Sequence, residues 1–117
     1  TKMLILINAQ QEILLEKRPE MGIWGGLWSL PECPFTEDIS DFCKQHYHCS
    51  AENPIQHTPF RHTFSHFHLE ITPIVMHVKK WQPPLIESRR IVWYNVEQLA
   101  EKGLAAPIKK LLSHLIL

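Results

Sequence analysis

Two runs of strand-forming residues stand almost end to end at the start of the chain, Lys2 to Asn8 and Ile13 to Lys17. The first is an aliphatic run from Met3 to Ile7, and only a few polar residues around Ala9-Gln10-Gln11 part the two. They read as a β-hairpin, and the lack of glycine in the connection leaves its turn type open. Pro19 ends the pair. Gly22-Ile23-Trp24-Gly25-Gly26 is then a loop, with glycines where the backbone must turn or approach something closely. Leu27 to Leu30 is a short strand stopped by Pro31.

Thr36 is placed to cap a helix, with Glu37 and Asp38 in a first turn where carboxylates favour the helix dipole. Ile39, Phe42, Cys43 and His46 recur at helical spacing and form one buried face. Ser50 to Pro54 reads as a loop. The longest β-like stretch runs from Ile55 to Val78. Phe67, Leu69 and Ile71 alternate inward, and Ile74, Met76 and Val78 follow on the opposite parity. The phase slips around Thr72-Pro73, which suggests a bulge or an edge position. Pro83-Pro84 marks a loop, and Arg90 to Tyr94 a further strand. Asn95 can cap a short helix, with Gln98 at its third position and Gly103 as its stop. Pro107 opens a last helix whose apolar stripe is Ile108, Leu111, Leu112 and Leu115. Repeats and low-complexity tracts are absent. The expected architecture is α+β: five to seven strands in a mixed sheet, packed with two or three helices.

At 117 residues the chain is one domain, 1–117, large enough for a core without disulfides or metal. It opens at Thr1 directly in a strand, which suggests a fragment of something longer. No apolar run approaches the ~20 residues that span a bilayer, so no membrane partner is expected. Twelve basic residues balance twelve acidic ones, which argues against strong autonomous DNA binding, since neutralising phosphates supplies most non-specific affinity. Eight histidines add positive charge only below about pH 6.5. Three cysteines do not make a disulfide framework, and a reducing cytosol is the default. Cys43, His46, His48 and Cys49 cluster in sequence, but their spacing matches no familiar zinc pattern. Buried thiols beside partly exposed histidines outweigh a metal site.

Three stretches carry a resemblance that spans essentially the whole chain. Leu15-Glu16-Lys17-Arg18-Pro19 leads into Gly22-Ile23-Trp24-Gly25-Gly26-Leu27-Trp28 and closes on Pro31. Phe60-Arg61-His62-Thr63-Phe64-Ser65-His66-Phe67-His68-Leu69 follows, then Gly103-Leu104-Ala105-Ala106-Pro107-Ile108-Lys109-Lys110-Leu111-Leu112. In this order they resemble the C-terminal domain of MutY-type adenine DNA glycosylases. The resemblance implies a Nudix-like fold, a helical catalytic domain ahead of this one, and a 4Fe-4S cluster in that domain. The cluster needs four cysteine thiolates and this chain has three, wrongly spaced, so no cofactor is expected here.

An active Nudix hydrolase carries the box G-x5-E-x7-R-E-U-x-E-E-x-G-U, whose helical glutamates hold divalent metal. Gly26 and Glu32 fit the first spacing. The Arg-Glu position holds Ser40-Asp41, the Glu-Glu position Lys44-Gln45, and the glycine position Tyr47. A lysine cannot ligate magnesium and glutamine is a poor substitute for a carboxylate. A pyrophosphohydrolase, the first alternative, therefore fails on its own chemistry, and no catalytic residue is assigned.

The resemblance points to Phe64, Ser65 and His66 as a loop that reads 8-oxoguanine. Oxidation adds a carbonyl at C8 and a hydrogen on N7. A hydroxyl can accept from that new N–H where normal guanine offers only an acceptor, and Ser65 suits the role. Phe64 would pack against bases or wedge beside the lesion pair, and His66 would orient the loop or touch phosphate. On spacing alone the same residues read as an ordinary strand, with Phe64 in the core, Ser65 facing solvent, and His66 and His68 exposed on one face. Arg61 and His62 rank second, as phosphate contacts. Lys79-Lys80 and Arg89-Arg90 read as solvated surface pairs. Trp24 and Trp28 read as core or interdomain packing. Gly25 and Gly26 give only a weak phosphate-cradle signal. The partners so implied are duplex DNA with an 8-oxoguanine:adenine mispair and the catalytic domain of the same chain, in the bacterial cytoplasm at the nucleoid. A non-catalytic interaction domain that kept the fold without the reader is the second alternative.

Overall fold

Met3-Leu4-Ile5-Leu6 has no polar face, and the architecture gives the reason. In the computed structural model, which describes residues 1–82, 90–95 and 103–115 (Leu115 by its backbone alone), this segment is strand β1, Lys2–Ile7, buried on both sides. Met3 and Ile5 join a cluster with Ile13, Leu15, Ile71, Ile108 and Leu112. Leu4 and Leu6 join the opposite one with Leu14, Phe42, Cys43, Tyr47, Ile74 and Met76. A sheet covered by a helix on each face demands such doubly apolar strands.

The other strands are β2, Glu12–Lys17; β3, Trp28–Ser29; β4, Glu32–Cys33; β5, Cys49–Gln56; β6, Phe60–Thr63; β7, His68–Trp81; and β8, Ile91–Asn95. Helix α1 is Ile39–Tyr47 and α2 is Ala106–Leu115. The sheet runs β3-β2-β1-β7-β5, with β4 added to β1, β6 to β7 and β8 to β2. Among the described strands only β1 and β7 pair in parallel, Lys2 opposite Thr72 through Ile7 opposite His77; the remaining strand pairs are antiparallel. This is the expected mixed sheet with helices, with eight strands among the described residues where at most seven were expected. The additions are β4, β5 and the division of the long β-like stretch into β6 and β7.

The first hairpin forms as expected, and asparagine does the work a glycine would do. Asn8 Oδ1 accepts from the amides of Gln10 and Glu12 at 3.1 and 2.8 Å, and Gln11 takes the left-handed φ of 62°. Beyond the Ile7–Ile13 pair the strands part, β1 turning to β4 and β2 to β3 and β8.

Several expectations need correction. Asp38, not Thr36, caps α1, accepting from the Asp41 amide at 3.1 Å. A turn closed by the Glu37 amide on Pro34 carbonyl takes up Thr36 and delays the helix by two residues. His46 is exposed, lying against the Phe42 ring, and Tyr47 takes the buried position. Ser50 to Pro54 belongs to strand β5. Asn53, at φ 55°, and Pro54 fall where the pairing with β7 shifts register between Glu52 and Ile55, a bulge on an edge strand.

Thr72-Pro73 is no bulge within β7. The strand changes neighbour there, pairing with β6 up to Ile71 and with β5 from Ile74. Its odd residues Leu69, Ile71 and Val75 face the α2 side and its even residues Ile74, Met76 and Val78 the α1 side, so the apparent slip is one strand buried on both faces. Phe67 does not point inward; it is 43% exposed in the turn before β7. The Pro83-Pro84 loop, Arg89 and the short helix expected after Asn95 lie outside the described residues, and Asn95 itself ends β8.

Candidate nucleic-acid interface

Phe64, Ser65 and His66 sit in the tight turn between β6 and β7, not in a strand. Phe60–Ile71, Arg61–Glu70, His62–Leu69 and Thr63–His68 are the paired rungs below it. The Phe64 amide donates to the Phe67 carbonyl at 2.8 Å and closes the turn. Thr63 Oγ1 and His68 Nδ1, 3.0 Å apart, brace its base. Ser65 and His66 are exposed at the apex.

Phe64 is half-buried. Its ring stacks on Phe67 with centroids 4.5 Å apart, meets His62 edge-on at 4.7 Å, and lies 5.4 Å from Trp24. Trp24 also touches His62 at 5.6 Å. The glycine loop and the Phe-Ser-His turn, two separate motifs in the sequence, thus form one aromatic cluster. The third motif is tied to the end of the glycine-loop stretch: the Trp28 amide donates to Gly103 carbonyl at 2.8 Å, and the Ala105 amide to Trp28 carbonyl at 3.0 Å.

Arg61 is exposed and pairs with Glu70 across the hairpin at 2.9 Å. Beside it, a groove of about 560 Å³ runs between β6 and α2, with Phe60 and Leu111 in its apolar lining and Arg61, Lys110 and His114 as basic groups. Sequence reasoning did not single out Lys110 or His114. Lys79, as expected of a surface pair, is exposed and meets Glu52 at 3.0 Å.

A second cleft, about 250 Å³, lies between β2 and α1, lined in part by Glu16, Arg18, Glu32, Phe42, His46 and Tyr47. Its two carboxylates are engaged: Arg18 forms an ion pair with Glu32, and the Tyr47 hydroxyl donates to Glu16. Burial, then the bond to Glu16, pushes the Tyr47 phenol well above its ordinary pKa. Lys44 and Gln45 are exposed, and Lys44 lines a different cleft with His48 and Lys80. Among the described residues no three of His, Cys, Asp and Glu converge as metal ligands. Cys43 and Cys49 are buried while His46 and His48 are exposed. The contact with Cys49, then burial, raises the Cys43 pKa and keeps it a thiol.

The fold and this cleft define the class: the chain belongs to the NUDIX domain family, whose model matches residues 2–114. It is 30% identical over 112 residues to the adenine DNA glycosylase of Buchnera aphidicola from Acyrthosiphon pisum, a match that covers 94% of this chain and 31% of that protein. The chain thus spans about a third of the length of the curated relatives it matches. The C-terminal domain of mouse MUTYH, solved with human PCNA, superposes with a TM-score of 0.65 at 15% identity, covering 96% of this chain and 83% of that one. The NUDIX domain of Shewanella oneidensis NrtR, solved with ADP ribose, gives 0.72 at 14% identity, over 96% and 82%. Likeness to the adenine DNA glycosylases is therefore carried by sequence, and the structures support the fold.

Proposed function

We propose that this chain is the lesion-reading domain of an adenine DNA glycosylase, holding 8-oxoguanine while a separate catalytic domain removes the adenine opposite. The observation that carries the reading is the exposed Ser65 hydroxyl at the apex of a braced hairpin, in a chain related by sequence to adenine DNA glycosylases. Ser65 Oγ accepts the N7 hydrogen that only the oxidised base possesses, while guanine offers N7 as a bare acceptor. His66, beside it, orients the turn or meets a phosphate. Phe64 and Phe67 together present a stacked apolar edge to the bases, with Phe64 as its anchored half. Arg61, Lys110 and His114 supply basic groups toward the backbone.

The mispair is 8-oxoguanine with adenine in duplex DNA, and extrusion and excision of the adenine belong to the catalytic domain, where the iron–sulfur cluster also resides. This domain holds no cofactor and cleaves no bond. The protein works in the bacterial cytoplasm, at the nucleoid. The described residues include no helix long and apolar enough to cross a membrane.

The test is a titration of the chain with two duplexes, one carrying 8-oxoguanine opposite adenine and one carrying guanine, at low and moderate salt. A base-reading preference persists as salt rises, whereas a charge-driven background fades. Ser65→Ala narrows the preference by roughly 1–3 kcal/mol, or about 5- to 150-fold. An unchanged ratio in this chain and in the intact glycosylase removes Ser65 from the reading role. A cleavage assay on nucleoside diphosphate derivatives with magnesium, expected blank, separates this function from a hydrolase.

A further inference from the structure

The turn that carries Ser65 is short, and its own backbone closes it with a single described bond, Phe64 amide to Phe67 carbonyl. What fixes its direction lies elsewhere in the sequence. Trp24 is the one side chain of the Arg18–Leu27 loop whose ring meets both His62 and Phe64. Its backbone is left-handed, φ 54°, a conformation a tryptophan keeps only where its surroundings determine it.

The loop does determine it. The Arg18 amide donates to Leu27 carbonyl at 2.8 Å, the Gly26 amide reaches the Arg18 and Pro19 carbonyls at 3.2 and 3.3 Å, and the Leu27 amide reaches Trp24 carbonyl at 3.0 Å. Arg18 Nε donates to Ile23 carbonyl at 3.3 Å, and its guanidinium pairs with Glu32 on β4. Glu32 is the box glutamate that this chain keeps as glutamate, with Asp41 at a second acidic position. Its partner here is an arginine, so the loop of the hydrolase fold is tied to the sheet by an ion pair.

We propose that the Arg18–Leu27 loop, locked by Arg18–Glu32, positions the hairpin tip through Trp24, and that Trp24 is a specificity-determining residue that does not itself touch the lesion. The proposal rests on Ser65 as the reader. Loss of the Trp24 ring leaves Phe64 with only His62 and Phe67 as aromatic neighbours among the described residues, so the turn swings and Ser65 no longer meets N7 at one fixed place.

The experiment joins amide hydrogen exchange with the two-duplex titration, both on the whole chain. Trp24→Ala is expected to speed exchange of the Phe64 amide about three- to tenfold, the range of one aromatic pair, and to narrow lesion preference by a similar factor. Amides of α1 and β1 stay at wild-type protection. Trp24→Phe restores most of both. Glu32→Gln acts in the same direction, and its effect on preference is not additive with Trp24→Ala. Trp81→Ala, which removes a ring contact with Trp93 away from the tip, changes neither.

Wild-type exchange and preference in Trp24→Ala, full additivity with Glu32→Gln, or a rise in exchange shared by every amide each overturns the proposal. If wild type itself shows no lesion preference, the functional reading falls on its own. The Phe64 amide then still decides whether Trp24 holds the tip.

Discussion

Gly25 is where the loop has least room, and alanine there should be more disruptive than at the glycine with the more unusual backbone. A Cβ built on Gly25 lies 2.1 Å from Glu20 carbonyl oxygen, 2.8 Å from its carbon and 3.2 Å from Pro19 oxygen. All three are backbone atoms, so relief requires the two arms of the loop to separate by about 1 Å. That motion pulls on the Gly26 bonds to Arg18 and Pro19 and moves Trp24 with them. Gly22 has φ +113° but, among the described residues, nothing within 4 Å of its Cβ. Its cost is conformational, of order 1–2 kcal/mol, and local. Overpacking at Gly25 costs about 1–3 kcal/mol, which for a chain of this size lowers Tm by about 4–12 °C. The assay is thermal unfolding followed by intrinsic tryptophan fluorescence, in parallel for Gly25→Ala, Gly22→Ala and Gly103→Ala. At Gly103 the added methyl meets, among the described residues, only Leu27 Cδ2 at 3.8 Å, so Tm should be nearly unchanged. A Gly25→Ala chain with wild-type Tm and fluorescence would refute the close approach, and with it the loop geometry that supports Trp24.

Tyr47 offers a pH signature. Its folded pKa is raised by burial and by Glu16, so only the unfolded chain ionises it near pH 10, and stability falls above that pH by about 1.4 kcal/mol per unit. Tyr47→Phe should lower stability at neutral pH through the lost bond to Glu16 but flatten that alkaline slope, as denaturant titrations at pH 8 to 11 would show. Arg61→Ala should shift folding stability by no more than about 0.5 kcal/mol, because its pair with Glu70 is well exposed. If Arg61 meets a phosphate, the same substitution weakens binding to both duplexes alike and reduces the salt slope by about one charge.

The fold was legible where one physical rule decides. The hairpin Lys2–Lys17, helix α1 and helix α2 follow from periodicity and proline placement, and each stands within a few residues of its expected span. Errors arose where tertiary pairing overrides local chemistry. Asn53 and Pro54 argue for a loop, yet β7 holds them in an edge strand through a bulge. Ile74 and Ile71 seem out of phase only because alternation assumes one wet face, and β7 has none at its centre. Of the proposed site, Phe64-Ser65-His66 is singled out by family resemblance alone, since spacing leaves an ordinary strand open. Trp24 reads as packing, and it does pack against the core, but the sequence names no partner for it. No periodicity links residues 24 and 64, and a left-handed tryptophan leaves no mark in sequence.

The charge balance bears on the kind of reading the proposed function allows. A chain with twelve positive and twelve negative residues cannot draw a duplex by its overall field. Two of its cations near the site are already committed within the protein, Arg18 to Glu32 and Arg61 to Glu70. What the surface offers DNA is narrow: an exposed hydroxyl, a histidine, a stacked aromatic edge and a short basic groove. Such a surface contributes discrimination rather than grip, because one or two hydrogen bonds alter a ratio of affinities without supplying much affinity themselves. Rigidity therefore matters more here than charge. A hydroxyl distinguishes N7–H from a bare nitrogen only if it stays in place when the wrong base is presented; a tip free to swing would find a compromise with guanine. The braced turn, the aromatic cluster and the Arg18–Glu32 tie all act toward that fixity, so selectivity should fail before binding does when any of them is loosened.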